Sequence, residues 1–136
     1  MSSLETFEDI LGESSDPLDS AYWQARIEAA WPLNSTSLAY ESVRVVKAGA
    51  GILFGFSGFS SNEDSQFILV FDQQGGVPAS GAIPKIVINV AATTDFSASY
   101  IPHGRMFRQG IVIANSSTGP TYTAGTTDTW FDVQYI

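Results

Sequence analysis

The sequence predicts a mainly β protein: an antiparallel sandwich or barrel of seven or eight short strands, preceded by an acidic arm and one short helix. Three observations predict it. From residue 36 onward, apolar side chains recur with a period of two in short runs. Turn-forming stretches, "SSNEDS", "QQGGVPASGAI", "IPHGR" and "NSSTGP", separate those runs. No strand-helix-strand alternation is visible in that span, so a parallel sheet is not expected. Residues 36–136 therefore read as the β body, and residues 1–35 as the arm and helix.

The arm comes first. Residues 1–20 hold Glu5, Glu8, Asp9, Glu13, Asp16 and Asp19 with no Lys or Arg. Leu4, Phe7, Ile10 and Leu11 are spaced like one face of a short helix, which is marginal in water unless it finds a surface to lie on. Phe7 and Ile10 are its expected anchors, either on this body or on a neighbour. "DSAYWQARIEAAWP" follows, with Asp19 or Ser20 able to cap a helix. Trp23, Ile27, Ala30 and Trp31 form its apolar stripe, and Pro32 ends it, so a helix is expected over about residues 20–30. Trp23 and Trp31 either fill a groove on the body or contact another subunit.

In the body, "AYESVRVVKA" reads as a strand, and "GILFGFSGF" places Ile52, Phe54 and Phe56 on one face. "QFILVFD" is apolar on both faces, which predicts a strand covered on both sides. "PKIVINVA" is next, and "DFSASYI" alternates with Phe96, Ala98 and Tyr100 in and Ser97 and Ser99 out. "FRQGIVIAN" and "TWFDVQYI" complete the set, with a further short strand at "TYTA". In "TWFDVQY" the apolar face is Phe131, Val133 and Tyr135, leaving Trp130 beside Asp132 and Gln134. A Trp on that polar face is a subunit contact or a ligand platform.

Composition narrows the function. Charged residues make up 15% of the chain, against about a quarter in an ordinary domain. The surface must lean on Ser, Thr, Asn, Gln and Gly, or be covered by other subunits, which favours an oligomer. A net charge of −8 argues against direct nucleic-acid binding, which needs clustered Lys and Arg. No apolar run approaches the ~18 residues of a membrane span, so no membrane partner is expected. With no cysteine and one histidine, the chain lacks the ligands for thiolate or polyhistidine metal sites, and no cofactor is expected.

Catalytic patterns are also missing. His103 lies in the turn "IPHGR" without a Gly-x-Ser-x-Gly elbow, so the chain is read as a non-enzyme. Glu63 and Asp64 read as a solvated loop tip, and Asn115 as a side-chain turn closing the "GIVIA" strand. Arg105 and Arg108 in "GRMFRQGIVIANSS" have two readings. They pair with body carboxylates such as Asp95 or Asp132, or they receive the acidic arm of a neighbouring copy.

Five phrases, "QFILVFD", "VPASGAIPKIVINV", "FSASY", "GRMFRQGIVIANSST" and "DTWFDVQYI", resemble the small jelly-roll virion proteins of tailed bacteriophages, the head decoration or cement class. The resemblance covers about residues 64–136 and leaves the arm and helix outside it. It implies a jelly-roll-like sandwich and a homotrimer. It also implies a place on the outer surface of the virion capsid, bridging subunits of the major capsid protein after synthesis in the host cytoplasm. Phe7, Ile10, Trp23, Trp31, Arg105, Arg108 and Trp130 are then the candidates for oligomer or capsid contact. The alternative is the glycan- or receptor-binding head of a tail fibre or spike, with Tyr100, Tyr122, Trp130 and Tyr135 as stacking platforms.

Overall fold

The computed structural model describes residues 31–136; the arm anchors Phe7 and Ile10, and the helix expected over residues 20–30 with Trp23, lie outside the described residues. The described residues form nine strands and no helix. In chain order these are β1 (Leu33–Thr36), β2 (Val43–Lys47), β3 (Gly51–Ser60), β4 (Gln66–Phe71), β5 (Ile86–Val90), β6 (Thr94–Ser99), β7 (Arg105–Phe107), β8 (Ile111–Ser116) and β9 (Thr129–Tyr135). β1 begins at Leu33, three residues ahead of the start read from the alternation.

Two antiparallel sheets pack as a sandwich. One runs β1-β9-β3-β6, with β7 also on β3, and the other runs β2-β8-β4-β5. The pairing is nested: β1 takes β9, β2 takes β8, β3 takes β6 and β7, and β4 takes β5. Early strands thus pair with late ones in reverse order, and the chain closes on itself with its first and last strands side by side.

Between the sheets lies the main core, in which Phe56, Phe107, Phe131, Leu53, Ile68 and Ile113 are fully buried. Its rings meet edge-on or tilted, Phe96 standing 6.3 Å from both Phe56 and Phe131. Each such side chain contributes roughly 1.5–3 kcal/mol by leaving water. As the double-sided pattern of "QFILVFD" requires, β4 sends Ile68 and Val70 into this core and Leu69 and Phe71 outward. The outward pair joins Val112, Ala114 and Tyr122 in a second cluster. Loop backbone closes over it, Gly81 N–H donating to the Tyr122 carbonyl (2.8 Å) and Tyr122 N–H to that of Ala82 (3.0 Å). "TYTA" is therefore a covering loop, joined to the sheet by one bridge between Ser116 and Ala124.

Two strands depart from simple alternation. In β3 the register against β9 slips between Leu53 and Gly55. This bulge changes the parity, so Leu53 and Phe56 are buried, while Ile52 and Phe54 are only half-buried. The single strand expected from "FRQGIVIAN" is two, β7 and β8, because the chain turns at residues 108–110. Asp72 fixes that turn by accepting backbone N–H from Arg108 (3.1 Å), Gln109 (2.8 Å) and Gly110 (3.4 Å).

β6 and β7 share one edge of β3 and are separated by an excursion over residues 101–104. Tyr100 N–H still reaches the Phe54 carbonyl (2.8 Å), and Gly104 N–H closes the loop on the Tyr100 carbonyl (2.7 Å). Gly104 has φ of 76°, and a Cβ there would lie 2.5 Å from Ile52 Cγ2. Only glycine fits that return to the sheet.

Candidate functional site

At one end of the sandwich an apolar patch is held out by the backbone. Ser37 N–H donates to the Phe131 carbonyl (2.8 Å), and the Ser37 hydroxyl accepts the Phe131 N–H (2.8 Å). The hydroxyl stands in for the Ser37 carbonyl, which an ordinary ladder would use, so the chain is free to leave the sheet. It returns at Glu41, which exchanges hydrogen bonds with Thr129. Residues 38–40 are thus a bulge pinned on both sides, and Leu38 at its tip is 93% exposed. Tyr40, 49% exposed, meets Trp130 edge-on with ring centroids 5.9 Å apart. Phe59 on β3 is the cross-strand neighbour of Trp130 and is also exposed.

Trp130 faces outward on β9 with Asp132 and Gln134, as the sequence indicated. The pairing sets beside them a row of short polar side chains, Thr36 and Ser57 flanking Asp132, with Asn34 flanking Gln134. Thr36 donates to Asp132 (2.9 Å). Of the other proposed stacking residues, Tyr122 is buried under its loop, and Tyr100 and Tyr135 pack on the core. Tyr100 and Tyr135 stay half-buried, and burial pushes the Tyr100 and Tyr122 hydroxyls above the ordinary tyrosine pKa. Tyr40 and Phe59 supply the aromatic surface beside Trp130 instead.

The opposite end carries the arginines. Neither pairs with Asp95 or Asp132: among the described residues the only ion pair joins Arg44 to Glu41 (2.9 Å). Asp132 accepts from Thr36, and Asp95 is the second residue of β6, at the far end of the sandwich. Arg105 instead lies over the Tyr100 ring, 5.0 Å from its centroid. Arg108 gives its backbone N–H, not its guanidinium, to Asp72. Lys85 donates to the Met106 carbonyl and stands 4.6 Å over the Phe107 ring, and Lys47 ends β2 nearby. Beside them an open groove of ≈ 230 Å³ is lined by Lys47, Ala50, Gly51, Ile52, Met106 and Ile136.

The antiparallel order thus separates the charges. Among the described residues, Lys47, Lys85, Arg105 and Arg108 share the groove end with one acidic side chain, Asp72. Glu63, Asp64, Asp95 and Asp128 share the Leu38 end, where the one base among the described residues, Arg44, is already paired with Glu41. Burial raises the Asp72 carboxyl, but the N–H groups of Gln109, Arg108 and Gly110, with Lys85 nearby, outweigh it and hold it below the usual carboxylate range.

Asn115 is a buried tie rather than a strand-ending turn. Its amide donates to the Thr126 carbonyl (2.9 Å), Asp128 Oδ1 (2.9 Å) and Thr129 Oγ1 (2.8 Å), anchoring the loop that leads into β9 and Trp130. His103 is exposed and makes no side-chain hydrogen bond among the described residues. No group of three or more His, Cys, Asp or Glu stands together there to hold a metal. Trp31 is 65% exposed.

Comparison with known proteins gives no matching family model, curated relative or solved structure.

The sequence singles out Trp130, Arg105 and Arg108 as contact candidates, but not Leu38, Tyr40, Lys47, Lys85 or Met106. Their signal is positional: they become neighbours through strand pairing, not through spacing along the chain.

Proposed function

We propose that the body is a jelly roll and that the chain is a structural, non-enzymatic protein of a tailed-phage virion, of the head decoration or cement class. It acts as a homotrimer on the outer capsid surface and bridges subunits of the major capsid protein. The nested strand pairing supports the jelly roll, an architecture that recurs in viral capsid and lectin domains. Fold alone does not license a function, so the weight rests on the site. The observation that carries the reading is the pinned patch of Leu38, Tyr40 and Trp130. A protein that spends a buried serine to hold a leucine in water has a partner for that leucine.

The test is co-sedimentation with assembled heads. Binding at a fixed copy number per head, with heads more resistant to heat or chelation, is expected; failure to bind refutes the capsid role. A second reading, glycan or receptor binding, is favoured by one feature: Trp130 borders the polar row of Asp132, Thr36 and Gln134. Trp130→Ala separates the two. Under the cement reading the oligomer weakens; under the glycan reading the oligomer stays intact and retention on a glycan array is lost.

A further inference from the structure

We propose that the Leu38 knob of one copy seats in the Met106 groove of the next, a head-to-tail contact between copies of this chain. The proposal rests on the oligomeric reading above and identifies the two surfaces that build it. Three observations converge.

The first is the knob itself. Leu38 is held at 93% exposure by a bulge whose two ends are hydrogen-bonded into the sheet through Ser37 and Glu41, so little order is lost when it is buried. The second is the groove. Ala50, Ile52, Met106 and Ile136 give it an apolar floor, and its ≈ 230 Å³ lies below the range of pockets that enclose a drug-sized ligand. Its size and open mouth suit an aliphatic side chain presented by another protein. Met106, 57% exposed, and Ile136, 38% exposed, are otherwise left in water.

The third is charge. The groove end carries Lys47, Lys85, Arg105 and Arg108, and the one acidic side chain there among the described residues, Asp72, is occupied by three backbone N–H groups. The knob end carries Glu63, Asp64, Asp95 and Asp128. Two knob ends, or two groove ends, repel each other, whereas a knob end and a groove end attract. A two-fold contact through either end is therefore disfavoured, and a heterologous contact is favoured. Repetition of such a contact closes a ring when the rotation between copies allows it, and a trimer is such a ring.

In a head-to-tail contact, defects on the two halves complement each other, because each copy gives its neighbour only one of them. Leu38→Asp spoils the knob and spares the groove, while Met106→Asp spoils the groove and spares the knob. Both positions are exposed, so circular dichroism spectra matching wild type are expected and serve as the control for folding. In full-length chains, sedimentation analysis should show wild-type self-association weakened about 10- to 150-fold by either change, the equilibrium counterpart of burying one leucine. Mixing the two variants leaves one good knob facing one good groove, so a heterodimer of twice the 14.6 kDa monomer mass should form. Raising the salt should weaken it, since exposed charges contribute.

A wild-type chain that remains monomeric at high micromolar concentration overturns the contact. So does a Leu38→Asp chain that assembles like wild type, or a mixture of variants that forms no heterodimer. Wild-type chains that assemble in solution, with the mixture recovering the dimer but no binding to heads, uphold this contact and refute the capsid role separately.

Discussion

Ser37→Ala is the substitution that tests how the patch is built. Ser37 is 1% exposed, and its hydroxyl is the acceptor for the N–H of Phe131, itself fully buried. Alanine removes the acceptor but cannot bring the Ser37 carbonyl into its place while residues 38–40 remain bulged. The Phe131 N–H is then left buried without a partner, which costs about 1–3 kcal/mol. With a urea m-value of about 2 kcal/mol/M, a loss near 2 kcal/mol lowers the unfolding midpoint by roughly 1 M. Tryptophan fluorescence reads the transition, because Trp130 lies one residue from the lost bond. Leu38→Ala is the control: at 93% exposure it should change stability by less than about 0.5 kcal/mol. A Ser37→Ala protein as stable as wild type refutes the idea that the hydroxyl replaces the ladder carbonyl. Equal losses from Ser37→Ala and Leu38→Ala refute the separation of scaffold from knob.

Two further substitutions test the groove end. Gly104→Ala places a methyl 2.5 Å from Ile52 Cγ2 and 2.9 Å from the Leu53 carbonyl at a φ of 76°; a loss of roughly 1–3 kcal/mol is expected in thermal unfolding, and an unchanged midpoint contradicts the fit. Asp72 has a folded-state pKa below its unfolded one, so its stabilisation is present above the ordinary carboxylate pKa of about 3.9 and is lost as pH falls through the folded value. Asp72→Asn should lower stability near neutral pH and flatten the acid limb of a urea-midpoint profile; curves that stay parallel to wild type down to low pH rule out the linkage.

The sheet elements that show in the sequence are those whose two faces differ, or whose two faces are both buried. β9 reads directly, because Phe131 and Val133 point in while Trp130, Asp132 and Gln134 point out. β4 reads directly too, since a loop and a second sheet cover its faces. β3 does not, because the bulge between Leu53 and Gly55 changes parity in a run where every second residue is apolar on either face. β1 does not either: "LNST" carries one apolar residue, and its place is set by pairing with β9 and by Arg44 donating to Ser35. The break between β7 and β8 depends on Asp72, more than thirty residues away in sequence, and no local pattern announces it. The candidate site follows the same rule. Trp130 stands out within its own strand, whereas the Leu38 knob depends on a hydroxyl paired 94 residues away.

How the fold disposes of its apolar surface points to where partners belong. The outward face of the four-stranded sheet is strongly apolar, with Leu69, Phe71, Val112 and Ala114, yet the chain closes it with its own loops through Tyr122 and Ala82. Val45 and Val87 at its rim remain 44% and 41% exposed, and the closing loop carries Val77 and Ile83 at 69% and 82%. The outward face of the five-stranded sheet is treated oppositely along its middle, where Asn34, Thr36 and Ser57 are short and polar, while Trp130 and Phe59 lie toward one end and Ile52 and Met106 toward the other. Leu38 and Met106 receive neither treatment. Each is fixed by backbone hydrogen bonding, Leu38 by the pinned bulge and Met106 by its pairing with Ile52, and each remains more than half exposed. A loop free to move could tuck such a side chain away at little cost, but these two cannot retreat without breaking sheet pairing. Rigid presentation of an apolar side chain is unfavourable in the isolated subunit and favourable only when a second surface covers it. With opposite charge gathered around the two positions, the surface that best covers one is the surface that carries the other.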